Sequence, residues 1–238
     1  MNGALLRRAL LALTLPSLVA ACDRASAEPS PESTAADPAA PASAATPHAD
    51  SARDALLARA DLGRIKGNAS APVWVVVISD FQCPFCKRWH DETAPLIERN
   101  YVRTGKARIA YLNFPIASHR NAQPAHEFAM CAAEQSQFWP MADAIFASQD
   151  AWKRRSDAAV FFDSLARRLP IDHARLRSCV AAGGTRALIT ADYNRSVRIG
   201  IGSTPSFIIG EQAIVGAQPY EVFARAIDAA LAAPRPAR

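Results

Sequence analysis

No second C-x-x-C accompanies Cys83-Pro84-Phe85-Cys86 anywhere in the chain. A structural zinc site takes four ligands, usually two such units or a cysteine pair with a histidine pair. His90 follows Cys86 by one turn, but no neighbouring ligand completes a set, so neither metal nor other cofactor is expected. Basic residues are in small excess, 27 against 22 acidic, and form no stripe with interleaved aromatics. That pattern argues against nucleic acid as a partner; Lys153-Arg154-Arg155 reads as a solvated turn. Long apolar runs are missing too. The opening run "ALLALTLPSLVA" has 12 residues, too short to span a bilayer as a mature helix. No internal repeat appears, and nothing marks a second globular domain. With half its residues apolar, a chain of 238 can build one sizeable domain.

What is present begins with a targeting pattern. Arg7-Arg8, the apolar run and the small residues that follow read as a secretory signal over residues 1–21. Val19-Ala20-Ala21-Cys22 resembles the bacterial lipoprotein box, in which the cysteine is lipidated and becomes the mature end. The alternative is ordinary cleavage near Ala21, leaving Cys22 as a free thiol. Asp23 resembles a cue for retention at the inner membrane. Loss of Arg7 and Arg8 with the signal would lower the net charge from +5 to +3. Residues 22–52 are rich in Ala, Pro, Ser and Thr and cannot bury enough apolar surface to offset their ordering entropy. They read as a linker, with a reach of roughly 90 Å if fully extended.

The rest, residues 53–238, patterns as a folded domain. Asp54–Gly63 suggests a short helix. "VWVVVIS", Val73–Ser79, is a β-branched run suited to a central strand covered on both faces. A helix is expected from Pro84, since proline fits a first turn. Its apolar face would be Phe85, Trp89, Leu96, Ile97 and Tyr101, with a kink at Pro95. A second strand spans Ala107–Pro115. From about 117 to 199 the periodicity is helical, with helices predicted at 122–135, 138–148, 157–168, 172–181 and 185–199. Phe161, Leu165 and Leu169 form one stripe. Leu188, Ile189, Tyr193 and Val197 form another, interrupted by Asp192. "SFIIG" and "AIVG" then read as two short strands, followed by a helix over 219–232 with Val222, Phe223, Ala226, Ile227 and Leu231 inward.

The cysteine pair falls at the first strand–helix junction. Unpartnered N–H groups and the macrodipole favour a thiolate there, and C-x-x-C thiols ionise at roughly 3.5–7.5 instead of about 8.5. A pKa near ~4.5 would favour the dithiol at neutral pH by about 3.4 kcal/mol, or roughly 70 mV. Such a motif readily gives its disulfide away. Cys83, at the exposed end, is the expected attacking sulfur; Cys86, one turn inward, is the resolving one. Pro84 and Phe85 set backbone geometry and pack against the pair. A purely structural bridge is the competing reading, but so tight a loop gains little closure stabilisation. His90 reads as a solvated helix residue and His119 as structural or a cap. Cys131 and Cys179 remain over, an even number that suggests a bridge in an oxidising compartment; two separate buried thiols are the alternative.

"SDFQCPFCKRWH", the strand before it and "IGSTPSFIIG" together resemble the DsbA-like thiol–disulfide oxidoreductases, over roughly residues 60–232. The resemblance implies an α/β thioredoxin fold, β-α-β then β-β-α, with a helical insertion of about 117–199. It implies a cis Thr204–Pro205 peptide with the proline ring against the pair and the Thr204 backbone free to bind an extended substrate. It also implies that Cys131 and Cys179 match a second disulfide found in some relatives. Two departures stand out. The position six before the first cysteine, often acidic in the superfamily, is Val77, while Asp80 stands three before. The cis-proline loop reads Ser203-Thr204-Pro205 instead of the commoner GTP, and threonine there also occurs in isomerases and reductases.

Three functions follow as expectations. The first is a periplasmic lipoprotein, tethered to the inner membrane, that oxidises cysteines of secreted proteins and is reoxidised by a quinone-linked membrane partner. The second is an isomerase or reductase kept reduced by a membrane electron donor. The third is a non-enzymatic chaperone or binding module.

Overall fold

The computed structural model describes residues 47–234. The signal peptide, Cys22 and most of the expected linker lie outside the described residues. The first helix, α1, runs Pro47–Gly63, so it starts inside the segment read as linker and well before Asp54. Proline fits the first helical position and the following residues are rich in alanine, the strongest helix former.

Next come β1 (Ile65–Lys66), β2 (Val73–Ser79), α2 (Pro84–Glu92), α3 (Ala94–Ile97), a π-helical turn (Glu98–Val102) and β3 (Ala107–Asn113). A block of six helices follows: α4 (Ala122–Ala133), α5 (Phe138–Ala147), α6 (Gln149–Trp152), α7 (Ala158–Ala166), α8 (His173–Ala181) and α9 (Arg186–Arg198). The chain closes with β4 (Ser206–Ile209), β5 (Gln212–Val215) and α10 (Tyr220–Ala232). The sheet order is β1-β3-β2-β4-β5. β2 runs parallel to β3 and antiparallel to β4, with Val77 opposite both Tyr111 and Phe207. This is the mixed α/β thioredoxin fold with a helical insertion between β3 and β4.

The helix after Cys83 breaks where Pro95 falls. A proline lacks the N–H that its turn would need and its ring collides with the preceding turn. α2 therefore stops at Glu92, and Pro95 sits in the first turn of α3. Strand β1 was not visible in the sequence because two residues show no period; it exists by pairing antiparallel with β3.

Among the described residues, two apolar clusters form the core. One joins Val73, Val75, Val77, Phe207 and Ile209 of the sheet to Trp89, Ile97, Phe223 and Ile227. The other lies within the insertion, around Phe138, Phe146, Trp152 and Phe162, and takes in Phe81, Cys83 and Cys86. The Phe81–Cys86 loop thus belongs to the core of the insertion. Two helical stripes differ from the periodicity reading. In α7 the buried residues are Phe162 and Leu165, with Phe161 at the margin. In α9 Ile189 and Asp192 are buried, while Tyr193 and Val197 are exposed. A charged partner at the centre decides that second face: the Arg64 guanidinium pairs with Asp192, and Asn113 donates to it from its backbone N–H at 3.1 Å and its side chain at 2.7 Å.

Candidate active site

β2 ends at Ser79, and the next four residues turn the chain into α2. Asp80 shapes the turn. Its carbonyl accepts from Cys83 N–H at 3.2 Å, and its carboxylate accepts from Gln82 N–H at 2.6 Å. Cys83 occupies the cap position with extended backbone, and Pro84 opens the helix.

The two sulfurs are unbridged and chemically unlike. Cys83 ionises at about 6 instead of 9. The Cys86 thiol is the largest cause, acting against the cost of burial; the Thr204 hydroxyl and the N–H groups of Cys86 and Phe85 add to it. Cys86 is wholly buried. Burial first, and the neighbouring Cys83 second, push its pKa well above the ordinary value. Asp80 N–H points to its sulfur at 3.4 Å. One sulfur is therefore ready as a thiolate and the other is stored as a thiol, the division of labour that stepwise thiol exchange requires.

The Thr204–Pro205 peptide is cis. Thr204 O lies 3.4 Å from Cys83 Sγ, so the cis-proline loop closes over that sulfur. Pro84 lies at the surface. Phe85 does not pack against the pair: it is 54% exposed, with the Arg88 guanidinium 5.2 Å above its ring. The first turn of α2 turns Cys86 and Trp89 inward, which leaves the intervening Phe85 facing solvent. His90 faces α5, 3.1 Å from Asp143 and tilted against the Phe146 ring with centroids 4.6 Å apart. His119 Nδ1 sits 2.9 Å from Asp80 Oδ2. Cys131 and Cys179 form a disulfide between α4 and α8, with a Cα–Cα distance of 5.9 Å. Among the described residues no three His, Cys, Asp or Glu side chains gather as a metal site would need.

Sequence reasoning missed the polar grip of the insertion on the loop. Gln149 donates to the carbonyls of Phe81 at 2.7 Å and Cys83 at 3.0 Å. Gln82 accepts from Asn121 N–H at 2.9 Å and donates to Lys153 O at 3.2 Å. Asn121 in turn donates to the carbonyls of Trp152 and Arg155 at 3.1 and 2.9 Å. A glutamine inside the apolar stretch "IFASQDAW" was the one available signal.

Residues 60–229 match the model of the thioredoxin family, and the chain belongs to that family. It is similar to an Na(+)/H(+) antiporter, NhaA 3, of Salinispora tropica: 30% identical over 176 residues, which is 74% of this chain and 26% of that protein. The chain thus spans about a quarter of the length of the antiporters it matches. It is also 26% identical over 149 residues to the probable disulfide bond formation protein D of Bacillus anthracis, covering 60% of this chain and 67% of that one. Among solved structures, BdbD from Bacillus subtilis superposes with a TM-score of 0.65 at 19% identity, over 71% of this chain and 94% of that one. Wolbachia pipientis alpha-DsbA1 gives 0.64 at 20% identity, over 71% and 90%. These structures share the fold.

Proposed function

We propose that the chain is a thiol–disulfide oxidoreductase that passes a Cys83–Cys86 disulfide to cysteine thiols of secreted proteins. A substrate thiolate attacks Cys83, and Cys86 leaves with the electron pair. The second substrate thiolate then attacks the mixed disulfide and releases Cys83, so the substrate gains a disulfide and the protein holds the dithiol. The observation that carries this reading is the asymmetry of the two sulfurs, Cys83 ionising at about 6 and Cys86 pushed far above the ordinary thiol range. A stabilised Cys83 thiolate favours the dithiol product and so favours the oxidising direction. The name carried by the Bacillus relative supports the same chemistry.

In this reading Cys83 and Cys86 are the catalytic pair. Thr204 and Pro205 border the substrate, Phe85 offers an apolar rim, and Cys131–Cys179 braces the insertion. The setting is the bacterial periplasm, with lipidated Cys22 holding the domain at the inner membrane and a quinone-linked membrane partner restoring the disulfide. Among the described residues no helix is long and apolar enough to cross a membrane, so the tether would have to come from elsewhere in the chain.

The test compares wild type with Cys83→Ser in oxidation of a dithiol peptide, alongside the equilibrium potential against glutathione. Loss of turnover in the variant, with a potential nearer about −120 than −270 mV, supports an oxidant. Full turnover by the variant removes the reading, and a potential near −270 mV reverses its direction. Release of the protein from membranes by Cys22→Ala, with mass spectrometry of the anchored form, tests the tether.

A further inference from the structure

α6 is a single turn, Gln149–Trp152, set directly after α5. Two anchors hold it. Ser148 Oγ donates to Ala144 O at 2.6 Å and finishes α5. Trp152 is wholly buried; its indole N–H donates to Ile145 O at 2.8 Å, and its ring lies edge-on to Phe162 with centroids 4.9 Å apart. Residues three apart in a helical turn share a face, so the Trp152 anchor also fixes the side of the turn that carries Gln149.

Gln149 is 1% exposed. Its amide nitrogen carries two hydrogens and meets two carbonyls, Phe81 O at 2.7 Å and Cys83 O at 3.0 Å. Cys83 O also accepts from Lys87 N–H at 3.1 Å, the first bond of α2. On the other side of the same residue, Cys83 N–H donates to Asp80 O at 3.2 Å. Peptide units are planar, so with both neighbours held the Cα–Cβ bond of Cys83 has one direction and only rotation about χ1 remains. The sulfur then lies 3.4 Å from Thr204 O. Gln82 makes a useful contrast. Its amide reaches Asn121 N–H and Lys153 O, which ties the loop to the insertion without touching Cys83.

We propose that Gln149 is a positioning residue for Cys83: from the insertion it fixes the Cys83 carbonyl, and so aims the sulfur at an incoming partner sulfur. The inference rests on the thiol-exchange reading of the pair. Thiol exchange needs the attacked and leaving sulfurs in line, and a small misplacement of a reacting atom is costly in rate. The ionisation of Cys83 depends on the same aim. After the Cys86 thiol, the groups that favour its thiolate are Thr204 and the N–H groups of Cys86 and Phe85, and each acts only while the sulfur points towards it.

The test uses the reduced full chain with oxidised glutathione. The Cys83 thiolate attacks one glutathione sulfur, their bond forms, and the second glutathione leaves as a thiolate with the electron pair. Acid quench and mass spectrometry of the Cys83 peptide give the rate, and alkylation of the same peptide across pH gives the ionisation profile. Gln149→Met keeps length and apolar volume but has no donor. It should slow the glutathione reaction roughly 10- to 10²-fold at a pH where Cys83 is fully ionised, and move the alkylation break above about 6. Gln149→Glu donates one hydrogen when protonated and none when ionised. Its rate relative to wild type should recover on acidification, while the Gln149→Met deficit does not. A Gln149→Met rate within about twofold of wild type, or an unmoved break, overturns the positioning role and leaves Gln149 as a structural tie. Should Gln149→Met not fold, the Gln149→Glu series decides, and a deficit that ignores pH overturns the proposal. Failure of the wild-type chain to react with oxidised glutathione at all would instead sink the exchange reading, which is a separate result.

Discussion

Cys83 Sγ and the carbonyl oxygen of Thr204 lie 3.4 Å apart although 121 positions separate them in the chain. The contact brings the end of β2 against the loop that enters β4. The sulfur therefore sits between the segments that precede and follow the insertion.

Cys86 is the largest influence on Cys83, so its removal has two consequences. Cys86→Ala should raise the Cys83 pKa from about 6 towards the ordinary 9, read from the pH dependence of alkylation. It should also trap substrates as mixed disulfides, visible on non-reducing gels. An unchanged alkylation profile would show that the helix terminus, and not Cys86, holds the thiolate.

Reduction of the pair takes up two protons below the Cys83 pKa and one above it. The potential should then fall by about 59 mV per pH unit below the break and about 30 mV above it, with the break near pH 6. Redox equilibration with glutathione across that range measures the slope, and a single slope through pH 6 counts against the assignment. The same shift bears on folding. The Cys83 pKa is depressed on folding, so Cys83 contributes stability that is full above the ordinary thiol value and is lost as pH falls through about 6, while the raised Cys86 pKa opposes it in alkali.

The Cys131–Cys179 crosslink closes a separation of 48 residues. In the chain-entropy account that contributes about 4 kcal/mol. The double variant Cys131→Ala/Cys179→Ala should show a matching fall in urea-unfolding free energy, with α4 and α8 the first elements to exchange amide hydrogens. A loss below about 1 kcal/mol would mean that packing alone holds the helices.

Asp192 and Arg64 are both nearly fully buried, with side chains 2% and 5% exposed. Breaking such a pair from one side strands a charge. Asp192→Ala should cost about 3 kcal/mol, the lower end of the usual range, because Asp61 still pairs with Arg64. Equilibrium unfolding in urea checks the figure, and a change within about 0.5 kcal/mol would contradict it.

Gln149 holds the carbonyls of Phe81 and Cys83, so Gln149→Leu removes both contacts. The expected cost is about 1–3 kcal/mol, together with faster proteolysis between Phe81 and Cys83. An unaltered cleavage pattern would show that Asp80 and the Gln82 contacts fix the loop without Gln149.

Local pattern made much of this protein readable. The run Val73–Ser79 stands as β2 because β-branched residues fill a strand covered on both faces. The proline after Cys83 starts α2 for a local reason as well. Contacts between distant segments were not readable. Asp192 was visible as a polar gap in a stripe, but its partner Arg64 lies 128 positions away. Gln149 reaches back 66 positions to a carbonyl, and carbonyls carry no sequence signal. Phe85 was misread as inward because periodicity alone does not tell which residues of a first turn face the core.

The insertion also dictates an order of events. Val77 pairs with both Tyr111 and Phe207 at the centre of the sheet, and in a chain made N-terminus first Phe207 emerges long after Tyr111. Until it arrives, Cys83 and Cys86 lack the loop that will cover them, while Cys131 and Cys179 have already appeared. Four thiols can pair in three ways. Early collapse of α4 onto α8, joining Cys131 to Cys179, would withdraw two of them and leave Cys83 and Cys86 to each other.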